Sequence, residues 1–500
     1  MKNLKIKSSL FLLILITLFS CADDFIDVKS QDENSEDFFN SEADYQSALI
    51  AAYDMLQATA EQFQTAEIAS DNALCGGQDA NDTPGKQEID DMIHTPVNAQ
   101  LRNIWTWMYT GVNRANYIME FQNNLEFAGK TSVLAQARFL RAFYYSELVK
   151  WFGDVPLAVD KRIQFGDQFT IDRTSKADVY AQIELDLIYA ADNLPYVQSE
   201  TGRITKGAAQ ALLGKVYLYQ EKFTEAAVVL EDLIAKGPYD LLSTAEAINM
   251  FENDYENNIE SVFEIQYSDN KGGSYDCFYC LDGNYAVGFN GVRDYVGPLF
   301  DFGYSFNVPV QDAVDAFEDG DIRLEYTILD IVKWTEENKD WVNTSDGSTG
   351  VKSSQGYEHT GYFNRKYIAR KGDLNLPDAA LTNPNNFRVI RFADVLLMAA
   401  EALNRGNISD DRAKIYLNRV RNRANLPSVN TSGTNLTNDI YKERRVELMG
   451  EGLRFFDLVR TNKAEGTIPG FSKAKGHELF PIPIQEIELA GNRWSQNPGY

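Results

Sequence analysis

The sequence predicts a mostly α-helical protein: a tetratricopeptide-like helical-repeat scaffold, with an irregular, loop-rich half containing short strands set between its repeats. Three observations lead there. Apolar residues recur at intervals of three and four through most of residues 41–235 and again after residue 393. Residues 207–241 carry the spacing of a helical-hairpin repeat. After Ser261 the helical period stops and aromatic and glycine content rises.

The elements follow in chain order. Lys2, Lys5 and Lys7 precede Leu10 to Phe19, a run of Leu, Phe, Ile and one Thr. Crossing a bilayer core takes roughly 20 apolar residues. A shorter run with a positive start reads as a signal peptide, residues 1–20. Leu18-Phe19-Ser20-Cys21 resembles the bacterial lipobox, with Phe19 bulkier than is usual at its place. That resemblance implies cleavage before Cys21 and lipidation of its thiol. The alternative is a plain signal peptide with a chance cysteine. One acyl chain contributes about 0.8 kcal/mol per buried CH₂ and holds poorly alone, whereas the several chains of a lipoprotein anchor stably. Residues 21–35 read as an acidic tether. Asp23, Asp24 and Asp27 are similar to the signal that sends some Gram-negative lipoproteins to the outside of the outer membrane.

From Ser41 to Ala69 the spacing of Ala48, Leu49, Ala52 and Leu56 predicts one helix, and the Gly-, Asp- and Asn-rich stretch 75–90 a loop. Leu101 to Phe121 and Ser132 to Phe152 read as two further helices. The second carries an apolar stripe of Phe139, Leu140, Phe143, Tyr144 and Leu148 and is stopped by Gly153 and Pro156. Ala177 to Leu194 is a helix closed by Pro195. In residues 207–241, Leu213, Gly214, Tyr217, Ala226, Leu230 and Pro238 fall on the positions of the tetratricopeptide pattern. Gly214 and Ala226 let two helices approach and Tyr217 fills the gap. One such unit cannot bury its face alone, so neighbours must stack on it.

Residues 263–306 hold 12 aromatics in 44 and seven glycines, and "SVFEIQY" (261–267) at their start alternates like a strand. A second irregular stretch, 336–387, is polar, and helices are expected to resume at Arg388. Residues 443–460, "ERRVELMGEGLRFFDLVR", are the densest charge cluster. Glu443, Glu447 and Glu451 are spaced by four, with Arg444, Arg445 and Arg454 in reach. A structural role, arginine forks tying helices together through carboxylates, is preferred to an anion site.

The formal charge of −26 becomes −29 once residues 1–20, with three lysines and no acid, are removed. Such acidity argues against nucleic acid and disfavours polyanions. The chain is 44% hydrophobic, enough for a large core, and its length alone suggests two or three domains. No nucleophile elbow, metalloprotease helix, phosphate loop or dinucleotide fingerprint is present, and no catalytic residue, cofactor or metal set is assigned. His94, His359 and His477 are isolated. Carboxylates are abundant, but nothing marks out a glycosidase pair. Cys277 and Cys280 form a C-x-x-C without a redox or zinc context; they are either a local disulfide or two buried thiols.

Seven blocks in order resemble the SusD/RagB family of outer-membrane nutrient-binding lipoproteins: "WTWMYTGVNRANYIME" (105–120), "ARFLRAFYYSELVKWFGDVPL" (137–157), "AFEDGDIRL" (316–324), "RFADVLLMAAEALNRG" (391–406), "LNRVRNRANLP" (417–427), the 443–460 cluster, and "LFPIPIQEIELAGNRWSQNPGY" (479–500). The resemblance implies a single SusD-like domain over residues 36–500. Four tetratricopeptide-like helix pairs would form the scaffold, about 36–260 and 388–500, and the insertion 261–387 the ligand face. It further implies a surface-exposed, lipid-anchored outer-membrane protein that binds an oligosaccharide or polysaccharide without bond chemistry and hands it to a TonB-dependent β-barrel transporter. Trp105, Trp107 and Tyr109 would then belong to the scaffold. Within the insertion, Tyr275, Tyr279, Tyr285, Tyr295, Tyr304 and Trp341 are the candidate ligand-binding rings, because flat rings bury the apolar faces of sugars. The charge favours a neutral glycan. The competing readings are a peptide-binding member of the family, a lipid-anchored glycoside hydrolase, and a repeat scaffold that binds only proteins.

Overall fold

The computed structural model describes residues 38–270, 282–373 and 381–500. Cys21 and the segments around it, together with Tyr275, Cys277, Tyr279 and Cys280, lie outside the described residues. The helices that organise the fold are α1 (Glu42–Asp54), α2 (Thr59–Ile68), α3 (Pro84–Asp90), α4 (Ala99–Glu120), α5 (Lys130–Phe152), α6 (Lys176–Asn193), α7 (Lys206–Tyr219) and α8 (Phe223–Lys236). Within the irregular region lies α9 (Tyr285–Asn290), and after it come α10 (Phe392–Arg405), α11 (Asp410–Arg423), α12 (Gly433–Glu447) and α13 (Arg454–Arg460).

Four helix pairs stack in sequence: α1 with α4, α5 with α6, α7 with α8, and α10 with α11, each pair touching the next. The repeat positions explain the closeness. A Cβ on Gly214 of α7 would lie 2.4 Å from Leu230 Cδ2 of α8, and one on Gly111 of α4 would lie 2.5 Å from the Tyr144 ring of α5. Only a residue without a side chain allows either crossing. Within the α5–α6 pair, Arg141 is 1% exposed and forms a fork to Asp186 at 2.8 and 2.7 Å. The buried charge is paired and also donates to Asn116 Oδ1 and the Val159 carbonyl, which is the condition for tolerating it there.

The strands are short and form two-stranded antiparallel pairs among the described residues: β1 (Ala73–Leu74) with β5 (Val308–Pro309), β2 (Val155–Pro156) with β3 (Arg173–Thr174), β4 (Ser261–Ile265) with β8 (Phe387–Arg391), and β6 (Ile328–Asp330) with β7 (Tyr362–Asn364). Thus β1 joins the helical scaffold to the irregular region, while β4 and β8 tie the two ends of that region together.

Four expectations are corrected. The single helix over 41–69 breaks at residues 55–58. There the Tyr267 hydroxyl donates to the Gln57 carbonyl at 2.9 Å, so a helical carbonyl is spent on the irregular half. The loop 75–90 contains helix α3, which starts with Pro84 in its first turn, where a missing N–H costs nothing. Helices resume at Phe392, not Arg388, because residues 387–391 pair with β4.

The fourth concerns the charge cluster, which is structural but differently wired. Glu447 meets Arg391 at 2.8 Å, Arg323 at 3.0 Å and Arg423, while Glu443 meets Arg323 at 2.6 Å and Arg421 at 2.9 Å. Glu451 lies beyond the end of α12 and takes Arg391 and Lys366, each at 2.7 Å. Arg444 instead reaches Asp394 and Asp457, and Arg454 makes a fork to Asp71 at 2.7 and 2.8 Å.

Candidate ligand-binding site

Where the scaffold meets the irregular half, a concavity of about 400 Å³ opens between α4, α3, the loop before α3, α9 and the segment before β5. Asn98 sets its frame. Its Oδ1 caps α4 by accepting from the N–H groups of Gln100 and Leu101, while its Nδ2 donates to the Gly85 carbonyl and Glu88 of α3. The cap locks the start of α4 to α3, so Gln100, Asn103 and Trp107, three and four residues apart on one helix face, line the same wall as Lys86.

The facing wall comes from α9 and residues 304–306. Phe289 and Phe306 stack with centroids 5.2 Å apart, and Tyr304 meets Phe289 edge-on at 5.7 Å. The loop from 75 is drawn onto this wall: Gly77 N–H donates to the Ser305 carbonyl at 2.9 Å. Gly76 is required there, since a Cβ would lie 2.0 Å from that carbonyl oxygen.

The charges in the wall are paired. Lys86 Nζ lies 3.2 Å from Glu61 and donates to Gln64 Oε1 at 2.6 Å, and it sits over the Phe289 ring at 4.8 Å. Arg293 donates to the Tyr304 carbonyl at 2.7 Å and reaches Asp82 at 3.4 Å. Burial raises the Asp90 carboxyl to about 7, opposed by the Cys75 N–H and reinforced by Asp91 and Glu358. Burial also pushes the Cys75 thiol up to about 12, so it is protonated and unreactive.

The candidate rings separate. Tyr304 lines the concavity. Tyr285 is fully buried beneath it, its hydroxyl donating to Glu61 at 3.1 Å, so it supports the site and offers no face to a ligand. Tyr295 belongs to a small core with Val292, Phe300 and Phe363, its hydroxyl donating to the Pro298 carbonyl and accepting from Trp334. Trp341 is half-buried under Lys371 Nζ, 4.8 Å from its ring, and does not line the concavity. Trp107, expected in the scaffold, is scaffold and lining at once: 6% exposed, with that remainder turned to the cavity. Lys86, Gln100, Asn103, Phe289, Arg293 and Phe306 were not anticipated. The signal that could have found Lys86 is Pro84, which starts its helix. His94 and His477, isolated in sequence, stand with ring centroids 5.6 Å apart, and His94 Nε2 is 2.7 Å from the Tyr500 hydroxyl. Burial, then His477, lowers His94 to about 4, leaving it neutral. Among the described residues no cluster of His, Cys, Asp and Glu is arranged to hold a metal ion.

A stacked helical scaffold with an aromatic, charge-neutralised concavity at the root of its loop insertion defines a helical-repeat binding protein. The model of the SusD family matches residues 245–500, and a second model, described as starch-binding associating with outer membrane, matches residues 24–218. The chain belongs to the SusD family. A laminarin-binding SusD-like protein superposes with a TM-score of 0.82 at 33% identity, covering 92% of this chain and all of that one. Surface glycan-binding protein A from Bacteroides thetaiotaomicron, in complex with laminarihexaose, gives 0.80 at 25% identity over 92% of this chain and all of its own. SusD-like protein P2 of Formosa agariphila is 27% identical over the full length of both chains.

Proposed function

We propose that this protein binds a neutral glucan chain of the laminarin type in the concavity between α4 and α9 and does not cleave it. The carrying observation is the concavity itself. It offers ring surface from Trp107, Phe289, Tyr304 and Phe306 beside hydroxyl-matching amides of Gln100 and Asn103, with both cations in its wall paired to carboxylates. Sugars present apolar C–H faces and hydroxyl edges, which such a lining complements. Similarity to two laminarin-related binding proteins supports the choice of glucan. We further infer that Cys21 carries lipid, that the chain sits on the exterior of the outer membrane, and that it delivers its glycan to a TonB-dependent transporter.

Titration calorimetry of the mature chain with laminarin and with an anionic polysaccharide tests the binding. Laminarin should bind, the polyanion should not, and Tyr304→Ala should weaken laminarin on the order of 30-fold, the effect of losing an anchor worth about 2 kcal/mol. Binding of peptides only would favour the peptide-binding reading, and release of shorter sugars by the pure protein would establish an enzyme. Cys21→Ala should move the protein out of the membrane fraction; retention there would place the anchor elsewhere. Co-purification with a β-barrel transporter tests delivery.

A further inference from the structure

Helix α4 has a second lined face. Trp105, Thr106, Tyr109, Thr110 and Asn113 turn away from the first concavity into another, of about 250 Å³. At about 100° per residue this face is centred a third of a turn from Trp107. The exposed Thr106 and the half-buried Thr110 form the ridge between the two. The opposite walls are Ile163 to Ile171 and the stretch from Glu486 to Trp494.

The rings here are held by their polar atoms. Tyr109 donates its hydroxyl to the Pro156 carbonyl at 2.8 Å, and Trp494 donates Nε1 to the Ile171 carbonyl at 2.9 Å. Trp105 lies 4.9 Å from Tyr109 and 6.3 Å from Trp494, centroid to centroid. What remains for the cavity is apolar ring surface. The loop is pinned as well: Asn113 exchanges two hydrogen bonds with the backbone of Ile163, at 3.0 and 2.9 Å. On that loop, Phe169 is 51% exposed and Phe165 93% exposed. Neither lines the cleft itself, but both stand exposed on the loop that walls it.

We propose that this cleft is a second subsite for the same glucan, which crosses α4 over the Thr106 ridge from the first concavity. The inference rests on the glycan-binding reading above. Two features select a sugar chain as the occupant. The cleft mixes ring faces with Thr106, Thr110 and Gln168, as the first concavity mixes rings with amides. The two hollows are also separated by about one helix width, roughly 10 Å; two linked sugar rings are only about that long in all, so filling both hollows and crossing the ridge takes a longer chain. Two linked contacts on one chain act by effective concentration, so affinity should climb with chain length.

The test compares laminaribiose, laminarihexaose and laminarin on wild type, Trp494→Ala, Trp494→Phe, Phe169→Ala and Tyr304→Ala, with folding checked by circular dichroism. Wild type should bind the long chains at least about tenfold more tightly than the disaccharide. Trp494→Ala should lose that advantage and leave laminaribiose unchanged, Trp494→Phe should keep most of it, and the exposed Phe169→Ala should lose part. Tyr304→Ala should weaken all three sugars. If Trp494→Ala binds laminarin as wild type does, or loses the disaccharide equally, the second subsite is refuted. If only the Trp494 variants matter and Tyr304→Ala is silent, the first site is misplaced while the second stands. If wild type binds none of the three, both readings fall.

Discussion

Asp90→Asn should stabilise the protein more at pH 8 than at pH 5. Asp90 ends α3, the helix that carries Lys86, and its carboxylate accepts from the Cys75 N–H at 2.6 Å. Burial raises its pKa from 3.8 to about 7, with Asp91 and Glu358 adding repulsion. A carboxyl whose folded value lies above its unfolded value binds its proton more tightly when folded. Its contribution is therefore greatest at acid pH and is lost as pH rises from about 4 to about 7. At about 1.4 kcal/mol per unit, the loss between pH 5 and pH 8 comes to about 2.5 kcal/mol, since part of the shift is already spent at pH 5. Asparagine keeps the acceptor for the Cys75 N–H and cannot ionise. The difference in urea-unfolding free energy, variant minus wild type, should thus be about 2.5 kcal/mol more favourable at pH 8. Glu256, also raised to about 7 chiefly by burial, titrates in both proteins and cancels. A difference equal at the two pH values would mean that Asp90 is not held protonated, and the reasoning fails.

Gly214→Ala gains about 1 kcal/mol of helix propensity but drives a Cβ to 2.4 Å from Leu230, an overpacking of about 1–3 kcal/mol. Thermal unfolding should show net destabilisation that vanishes or changes sign in a Leu230→Ala background; additivity would deny the contact. Arg391→Met leaves Glu260, Glu447 and Glu451 short of a buried partner and should cost about 3–5 kcal/mol by denaturant unfolding. A cost below about 1 kcal/mol would show that the remaining arginines hold the network. Intact-mass measurement after alkylation, with and without reduction, should find Cys277 and Cys280 bridged; two alkylated thiols in the unreduced, unfolded chain would rule the bridge out.

The scaffold was legible because its signals are local. Gly214, Ala226 and Leu230 sit close in sequence, so the crossing of α7 on α8 is written in one hairpin. The site was not, because its walls come from residues 78–107 and 289–306, joined only by the fold. Ring counts alone could not separate Tyr304 from Tyr285. Both lie in a glycine-broken aromatic stretch, and only the Glu61 carboxylate on α2 shows that Tyr285 points inward. Trp107 reads as core and is core, and that its remaining edge lines the concavity depends on the irregular half. Helix α3 was hidden by the Gly, Asp and Asn around it, although Pro84 is a start signal.

The net charge argues for a neutral ligand less directly than the site does. Exposed charges are screened beyond about 8 Å at physiological salt, so −26 spread over the chain weakens a polyanion's approach more than its contact. Contact is decided in the wall. A lone lysine and arginine there would form an anion site. Lys86 instead lies against Glu61 with its side chain 2% exposed, so taking up an anionic sugar would mean breaking that pair and stranding a buried carboxylate. Arg293 is tied to Asp82 and to the Tyr304 carbonyl, and its role is to hold the Tyr304 segment against the loop from Gly76. The cations therefore position the rings, and the open valences facing the cavity are left to amides and ring faces, the complement of an uncharged sugar.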